Sequence, residues 1–176
     1  MRHNHAFVRQ ERGQSLIETA ILVPIFVTLI CYAVDFGYFF MAEASVDSSA
    51  HNAAMYATQG TVSATGATPP LGTLSTAKSV AGMAYSNMSG YLNASTTMAV
   101  QLCTNNNATI SCNSTGQTGM ISSSYQPDED PEPTVFQLVR VDVVYTVNPP
   151  IPLTFFGTSL LPTLNFHRMA EMRIAN

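Results

Sequence analysis

Positive charge is scarce in this sequence. Seven Lys and Arg residues serve 176 positions, and Arg2, Arg9 and Arg12 crowd into the first dozen. Beyond them stand only Lys78, Arg140, Arg168 and Arg173. That scarcity excludes a cationic face for nucleic acid. Charged residues of both signs make up 10% of the chain, against about 25% in ordinary soluble domains. The balance is acidic. The formal charge is −4, and loss of residues 1–13, with their three Arg and one Glu, takes it to −6. This bears on solubility and choice of partner, not on fold.

Catalytic signatures are also missing. There is no Gly-x-Ser-x-Gly elbow among the many serines. His3 and His5 lie at the extreme N-terminus, while His51 and His167 have no acidic or Cys partner at a recognisable spacing. The sequence therefore predicts no enzyme and no cofactor. Asp128, Glu129, Asp130 and Glu132 are interleaved with prolines and lack the glycine of an EF-hand loop. Of the three cysteines, Cys31 falls in an apolar run and reads as a small hydrophobe. Cys103 and Cys112 bracket a polar stretch. Their spacing does not suit zinc, so no metal is expected. If the region is exported, the two form a local disulfide, which contributes about 2–3 kcal/mol by chain entropy. If not, they are two free thiols.

What the sequence does contain is a long apolar run near its start. Thr19 to Val34 carries no charge, and from Leu16 to Met41 the only charges are Glu18 and Asp35. A helix needs about 20 residues to cross a hydrocarbon core of about 30 Å. The two acids are 17 residues apart, or about 26 Å, so each sits near an opposite interface with modest tilt or thinning. The arginines ahead of the run place the N-terminus on the cytoplasmic side. A removable signal peptide has an apolar core of only about 7–15 residues. Here apolar character continues through Phe36, Phe39 and Met41, which favours a retained anchor. Pro24, about two turns into the span, removes one backbone donor, which membrane helices tolerate.

Three regions follow from this pattern: a basic leader at 1–13, a transmembrane and extended helix at 14–59, and an exported α+β domain at 60–176. Residues 42–59 lack Pro and Gly and carry Val46, Ala50, Ala53, Ala54 and Ala57 as a stripe of small residues. A single helix from about residue 15 to 59, or two helices broken near Gly37, both fit. A second helix is predicted over 74–89, and strands over 96–103, 135–147 and about 164–174. The stretch 104–125 reads as a loop, and the acidic connector 126–133 as a solvated loop. A long helix packed on a small antiparallel sheet is the simplest arrangement.

With these residues in view, the chain resembles the TadE-like minor pilins (pseudopilins) of the tight-adherence, or Flp, pilus systems, best over residues 12–59. Gly13 followed by Glu18 fits the type IV prepilin pattern. Glu18-Thr-Ala-Ile-Leu-Val-Pro-Ile is similar to the family's acid-apolar-proline opening, and Asp35-Phe-Gly to its acidic-Phe-Gly element. Tad pilins often carry Tyr directly after the glutamate, where this chain has Thr19. The resemblance implies a pilin-like fold and cleavage by a prepilin peptidase after Gly13, leaving Gln14 first and Glu18 fifth. It also implies that Glu18, Pro24 and Asp35 serve subunit assembly, Glu18 by pairing with a neighbour's new amine. The plain alternative for Glu18 is an interfacial acid that reaches back to water. The implied partners are other pilin and minor-pilin subunits, the inner-membrane assembly platform and the lipid bilayer. The competing function is an uncleaved single-pass anchor whose exported domain binds another envelope component.

Overall fold

A computed structural model of the protein describes residues 8–59, 69–88, 90, 97–106, 109–132, 135–152, 154–155, 158–159 and 161–175. Its first element, α1, is one helix, Val8–Gln59, of 52 residues and about 78 Å. It runs through Pro24 and Gly37 without a break, so the two-helix alternative is not what the chain adopts. It also begins earlier than residue 15, because residues 8–12, Val-Arg-Gln-Glu-Arg, include good helix formers onto which an established helix propagates at little cost. Thr28 Oγ1 donates to the Pro24 carbonyl at 2.8 Å, one turn after the proline.

The C-terminal half of α1 is helical for a different reason: it packs. Phe39, Ala42, Val46, Ala50, Ala53, Ala54 and Ala57 are buried along one stripe, at the spacing of one helix face. The small-residue pattern read from the sequence is this stripe. Alanines let a helix axis come close to what it faces, and α1 faces both a sheet and the short helix α2, Val80–Met88. Ser49 Oγ donates to the Ala84 carbonyl at 2.8 Å in the buried seam between the helices.

The second helix starts six residues later than the pattern predicted, and hydroxyls explain the delay. Ser79 stands at the N-cap: its Oγ accepts from the Gly82 N–H at 3.0 Å and donates to the Thr76 carbonyl at 2.7 Å. The Val80 and Ala81 N–H groups donate to the Pro70 and Leu71 carbonyls. The first three helical amides are thereby satisfied, as a buried helix start requires. Residues 74–79 are committed to this cap. Gly82 is needed for close approach, since a Cβ there would lie 1.9 Å from the Thr76 carbonyl oxygen.

The sheet has β1, Met98–Asn106, β2, Thr109–Gly116, β3, Phe136–Val147, and β6, Leu164–Ala175, in the antiparallel order β2-β1-β3-β6. A two-residue-per-strand hairpin, β4 (Thr154–Phe155) with β5 (Thr158–Ser159), stands in the connection from β3 to β6. This is the α+β architecture the sequence predicts. The strand over 104–116 corrects the loop reading: β1 runs on to Asn106 and β2 pairs with it residue by residue. β2, Thr-Ile-Ser-Cys-Asn-Ser-Thr-Gly, is an edge strand exposed along most of its length, so it carries no apolar face for periodicity to detect. Cys103 and Cys112 are direct partners in this register and form the disulfide.

β3 organises the rest. Val139, Val141, Val143, Tyr145 and Val147 face the helices with Met98, Val100 and Leu102 of β1 and Ala170 and Ile174 of β6. Leu138, Arg140, Asp142 and Val144 occupy the opposite face and are buried too, so both faces of this strand are covered.

The alanine stripe generates a direct test. Ala53→Leu should overpack the helix–sheet seam and destabilise the protein by roughly 1–3 kcal/mol, read from the denaturant midpoint of the detergent-solubilised chain. Met55→Ala, on the exposed side of the same turn, should shift it by no more than about 0.5 kcal/mol.

Candidate functional site

The candidate functional surface is the N-terminal half of α1 and its junction with the domain. Between Gly13 and Val34 no residue is buried. Leu16, Ile17, Ile21, Phe26 and Ile30 each keep at least 60% of their surface exposed. An apolar patch of this extent marks a membrane or protein contact, and this helix is long and apolar enough to cross a membrane. Gly13, Gln14 and Glu18 are all exposed at its start. Nothing stands within 4 Å of a Cβ built on Gly13. Gln14 and Glu18 are one turn apart on the same face, and Thr19 Oγ1 donates back to the Ser15 carbonyl at 2.8 Å.

Asp35 is the first buried residue of α1 after Gly13. Its side chain is fully buried, and its Oδ1 accepts from the Ile151 N–H at 3.1 Å. Among the described residues its Oδ2 has no partner. This acid therefore ties α1 to the Asn148-Pro-Pro-Ile-Pro152 connection of its own chain. Two turns further on, Glu43 forms an ion pair with Arg168, which β6 presents on its helix-facing side. Asp35, Glu43 and Ser49 thus hold α1 to the domain at successive heights.

The outer face of the sheet carries a second constellation. Arg140 grips the buried Asp142 with two bonds, Nε to Oδ2 and Nη2 to Oδ1, both 2.9 Å. His167 Nε2 lies 2.8 Å from Asp142 Oδ1, and the Tyr125 ring stacks on the His167 ring at 3.9 Å between centroids. Arg140 Nη1 also donates to the Gln126 carbonyl at 2.6 Å. Arg173 Nε donates to Asp130 at 2.7 Å, and its guanidinium lies 4.6 Å above the Phe136 ring. The acidic connector 126–132 is a loop, as read from the sequence, and exposed at most positions, but it is strapped to the sheet with Pro127 and Asp130 buried. Residues 133 and 134 lie outside the described residues. Likewise His167 is not isolated: the register sets it diagonally across from Asp142, a neighbour 25 positions away in sequence. Among the described residues no group of three His, Cys, Asp or Glu side chains is arranged to hold a metal ion.

Sequence reasoning singled out Asp35 but not Ile151, because a backbone N–H leaves no mark on residue type. The Arg140-x-Asp142 spacing was the available signal for the outer cluster, since alternate residues of a strand share a face. The arginines shift the acids around them. The Arg173 guanidinium bonded to Asp130 holds that carboxyl below its ordinary range. Burial pushes Glu171 up, only partly opposed by Arg140.

Residues 13–55 match the family model of TadE-like proteins. The long helix is TadE-like from Gly13 to within a turn or so of its end. The match bears out the resemblance read from the sequence and associates the chain with Tad pilus assembly. No curated protein matches the chain, and no solved structure does. The match covers the exposed apolar span, Asp35, Glu43 and Ser49, and leaves the sheet outside it. The TadE-like segment is thus both the apolar span and the part of the helix that docks onto the domain.

The two shifted acids give opposite pH dependences. Asp130 contributes stability above the ordinary Asp range that is lost as pH falls through its lowered folded value. Arg173→Ala should flatten that acid-side loss. Glu171 is protonated more readily folded than unfolded, so its stabilising share is complete below the ordinary Glu range and lost as pH rises through its raised folded value. Glu171→Gln should leave stability higher than wild type at neutral pH and equal to it in acid. Urea titrations at several pH values read both.

Proposed function

We propose that this chain is a minor pilin-like structural or priming subunit for tight-adherence pilus assembly, processed by a prepilin peptidase after Gly13. The observation that carries the reading is that the TadE-like match begins at Gly13 itself and follows a helix in which nothing in the chain buries residues 13–34. In this reading α1 spans the cytoplasmic membrane once, with the arginine-bearing leader inside and the sheet domain outside. The chain acts by insertion and subunit contact, not by catalysis.

The chemistry at the start of the helix supports processing there. Glycine inside a helix costs about 0.5–1 kcal/mol relative to alanine, so the turn at Gly13 is the weak point of the basic segment. Cleavage removes three arginines and creates an amine at Gln14, one turn from Glu18. A carboxylate at the edge of lipid is costly unless paired or protonated. A neighbour's N-terminal amine supplies that pairing between subunits, while Asp35 is already used within the subunit. Pro24 and the apolar residues around it form the surface offered to lipid or to neighbouring helices. The implied partners are the peptidase, other pilin and minor-pilin subunits and the assembly platform in the membrane.

Co-expression with a prepilin peptidase, followed by N-terminal sequencing of the membrane fraction, should return Gln14 for the wild type and Met1 for Gly13→Leu. Intact Met1 in both would sink the processing reading and leave an uncleaved anchor. Glu18→Ala should insert and be recovered at wild-type levels yet fail to support piliation in cells. Normal piliation would remove Glu18 from assembly.

A further inference from the structure

Between Lys78 and Asp128 the chain carries no charged residue. Two cavities open on the domain within this neutral stretch and the cap before it, and they meet at the end of β2. The first, about 370 Å³, lies on the outer face of the sheet under the loop 117–123. Gln101, Ser114, Gln117, Thr118, Ile121 and Ser123 line it. The second, about 300 Å³, lies on the helix side, between the cap residues Thr73, Leu74 and Ser75 and Tyr85 of α2. Thr115 and Gly116 line both.

The corner where they meet is bare backbone by necessity. Gly116 has a φ of 102°, which side chains disfavour, and a Cβ there would run into the Met98 carbonyl. The loop that walls the first cavity is held at both ends. The Gln117 N–H donates to the Met98 carbonyl at 3.0 Å and the Tyr125 N–H to the Ser122 carbonyl at 3.1 Å, and the Tyr125 ring is stacked on His167. Each cavity is near the lower end of the range for small-molecule sites, about 300–1,000 Å³.

Gln101 is the buried polar side chain of the first cavity. It is 7% exposed, and its Oε1 has no hydrogen-bond partner among the described residues. A buried acceptor left unpaired costs about 1–3 kcal/mol. The last torsion of a glutamine is broad, so the amide can turn either its carbonyl or its NH2 edge toward the cavity. A planar amide accepts from one hydroxyl and donates to the next, while Ser114, Thr118 and Ser123 do either. Ile121 adds apolar surface beside them. No carboxylate, imidazole, thiol or cation lines either cavity. A charged ligand finds no counter-charge there, and the carboxylate pair of a glycoside hydrolase is missing from the lining.

We propose that the two cavities form one groove that binds a short uncharged oligosaccharide without cleaving it. A sugar ring carries adjacent hydroxyls at its rim and C–H groups on its faces. The rim matches the Gln101 amide and the hydroxyls around it, and a face matches Ile121. Past Gly116, where no side chain intervenes, Tyr85 takes the face of the next ring. The groove belongs to the domain and does not depend on processing at Gly13.

The full-length chain in phosphatidylcholine nanodiscs, free of sugar-headed detergent, is titrated with chito-, manno-, galacto- and malto-oligosaccharides by saturation-transfer NMR. At least one neutral series should bind, and a disaccharide should bind several-fold more tightly than its monosaccharide. Gln101→Leu should weaken binding about tenfold without lowering the denaturant midpoint. Ser123→Tyr, at an exposed position of the rim, should abolish binding in a chain of wild-type stability. Tyr85→Leu should remove the gain from the second ring and spare the monosaccharide. The same sugars are also carried on lipids in the disc; binding in that form alone assigns a glycolipid headgroup, and binding in solution a free glycan. The proposal is overturned if no sugar binds in either form, or if binding is indifferent to both Gln101→Leu and Ser123→Tyr. Equal affinity for one ring and two overturns it as well. So does preference for sulfated or sialylated chains, or occupation of the groove by an extended peptide in place of the sugars.

Discussion

A carboxylate with no exposed surface, Asp35, marks the change of surroundings on which the rest of this structure depends. Below it α1 is unburied on every side from Gly13 to Val34; above it one stripe of the same helix, from Phe39 to Ala57, is buried. A buried carboxylate is expensive unless hydrogen-bonded, and Asp35 meets that need through the backbone of Ile151. The bond joins residues 116 positions apart, so it forms only when helix and sheet are in register. It fixes where the domain begins along the helix.

Register along α1 needs such stops because its packing stripe is made of alanines. Small side chains permit close approach but interlock weakly, so sliding by a turn would replace one alanine with another. Asp35 with Ile151, Glu43 with Arg168 and Ser49 with the Ala84 carbonyl are directional and occur once each. Such polar contacts add little net stability; here they select one alignment from several of similar apolar area. The TadE-like match covers the helical partner in all three contacts.

Elements whose burial follows a simple period were legible in the sequence. β3, with valine at alternate positions, and the stripe at Val46, Ala50, Ala53, Ala54 and Ala57 stand where the pattern places them. β2 was not legible, because an edge strand of Thr, Ser and Asn owes its conformation to pairing with β1 and not to burial. The start of α2 was hidden for a related reason. Thr76 and Ser79 fall inside the helix the pattern predicts, and their hydroxyls mark no boundary until the cap they build with Thr73 is seen. Of the candidate site, Gly13, Glu18, Pro24 and Asp35 stood out by type and spacing. The strap over the outer face did not, since Arg140, Arg173 and His167 find their partners only through strand register.

The scarcity of positive charge takes on a different meaning once those partners are known. Each of the three arginines beyond the leader closes an internal contact. Arg168 pins the helix, while Arg140 and Arg173 hold the acidic connector against the sheet. A cation in a clamp is not offered to a partner. The domain's outward character is therefore set by Ser, Thr and Asn and by the acids left over. This chain places its few arginines where a long side chain can reach across two elements.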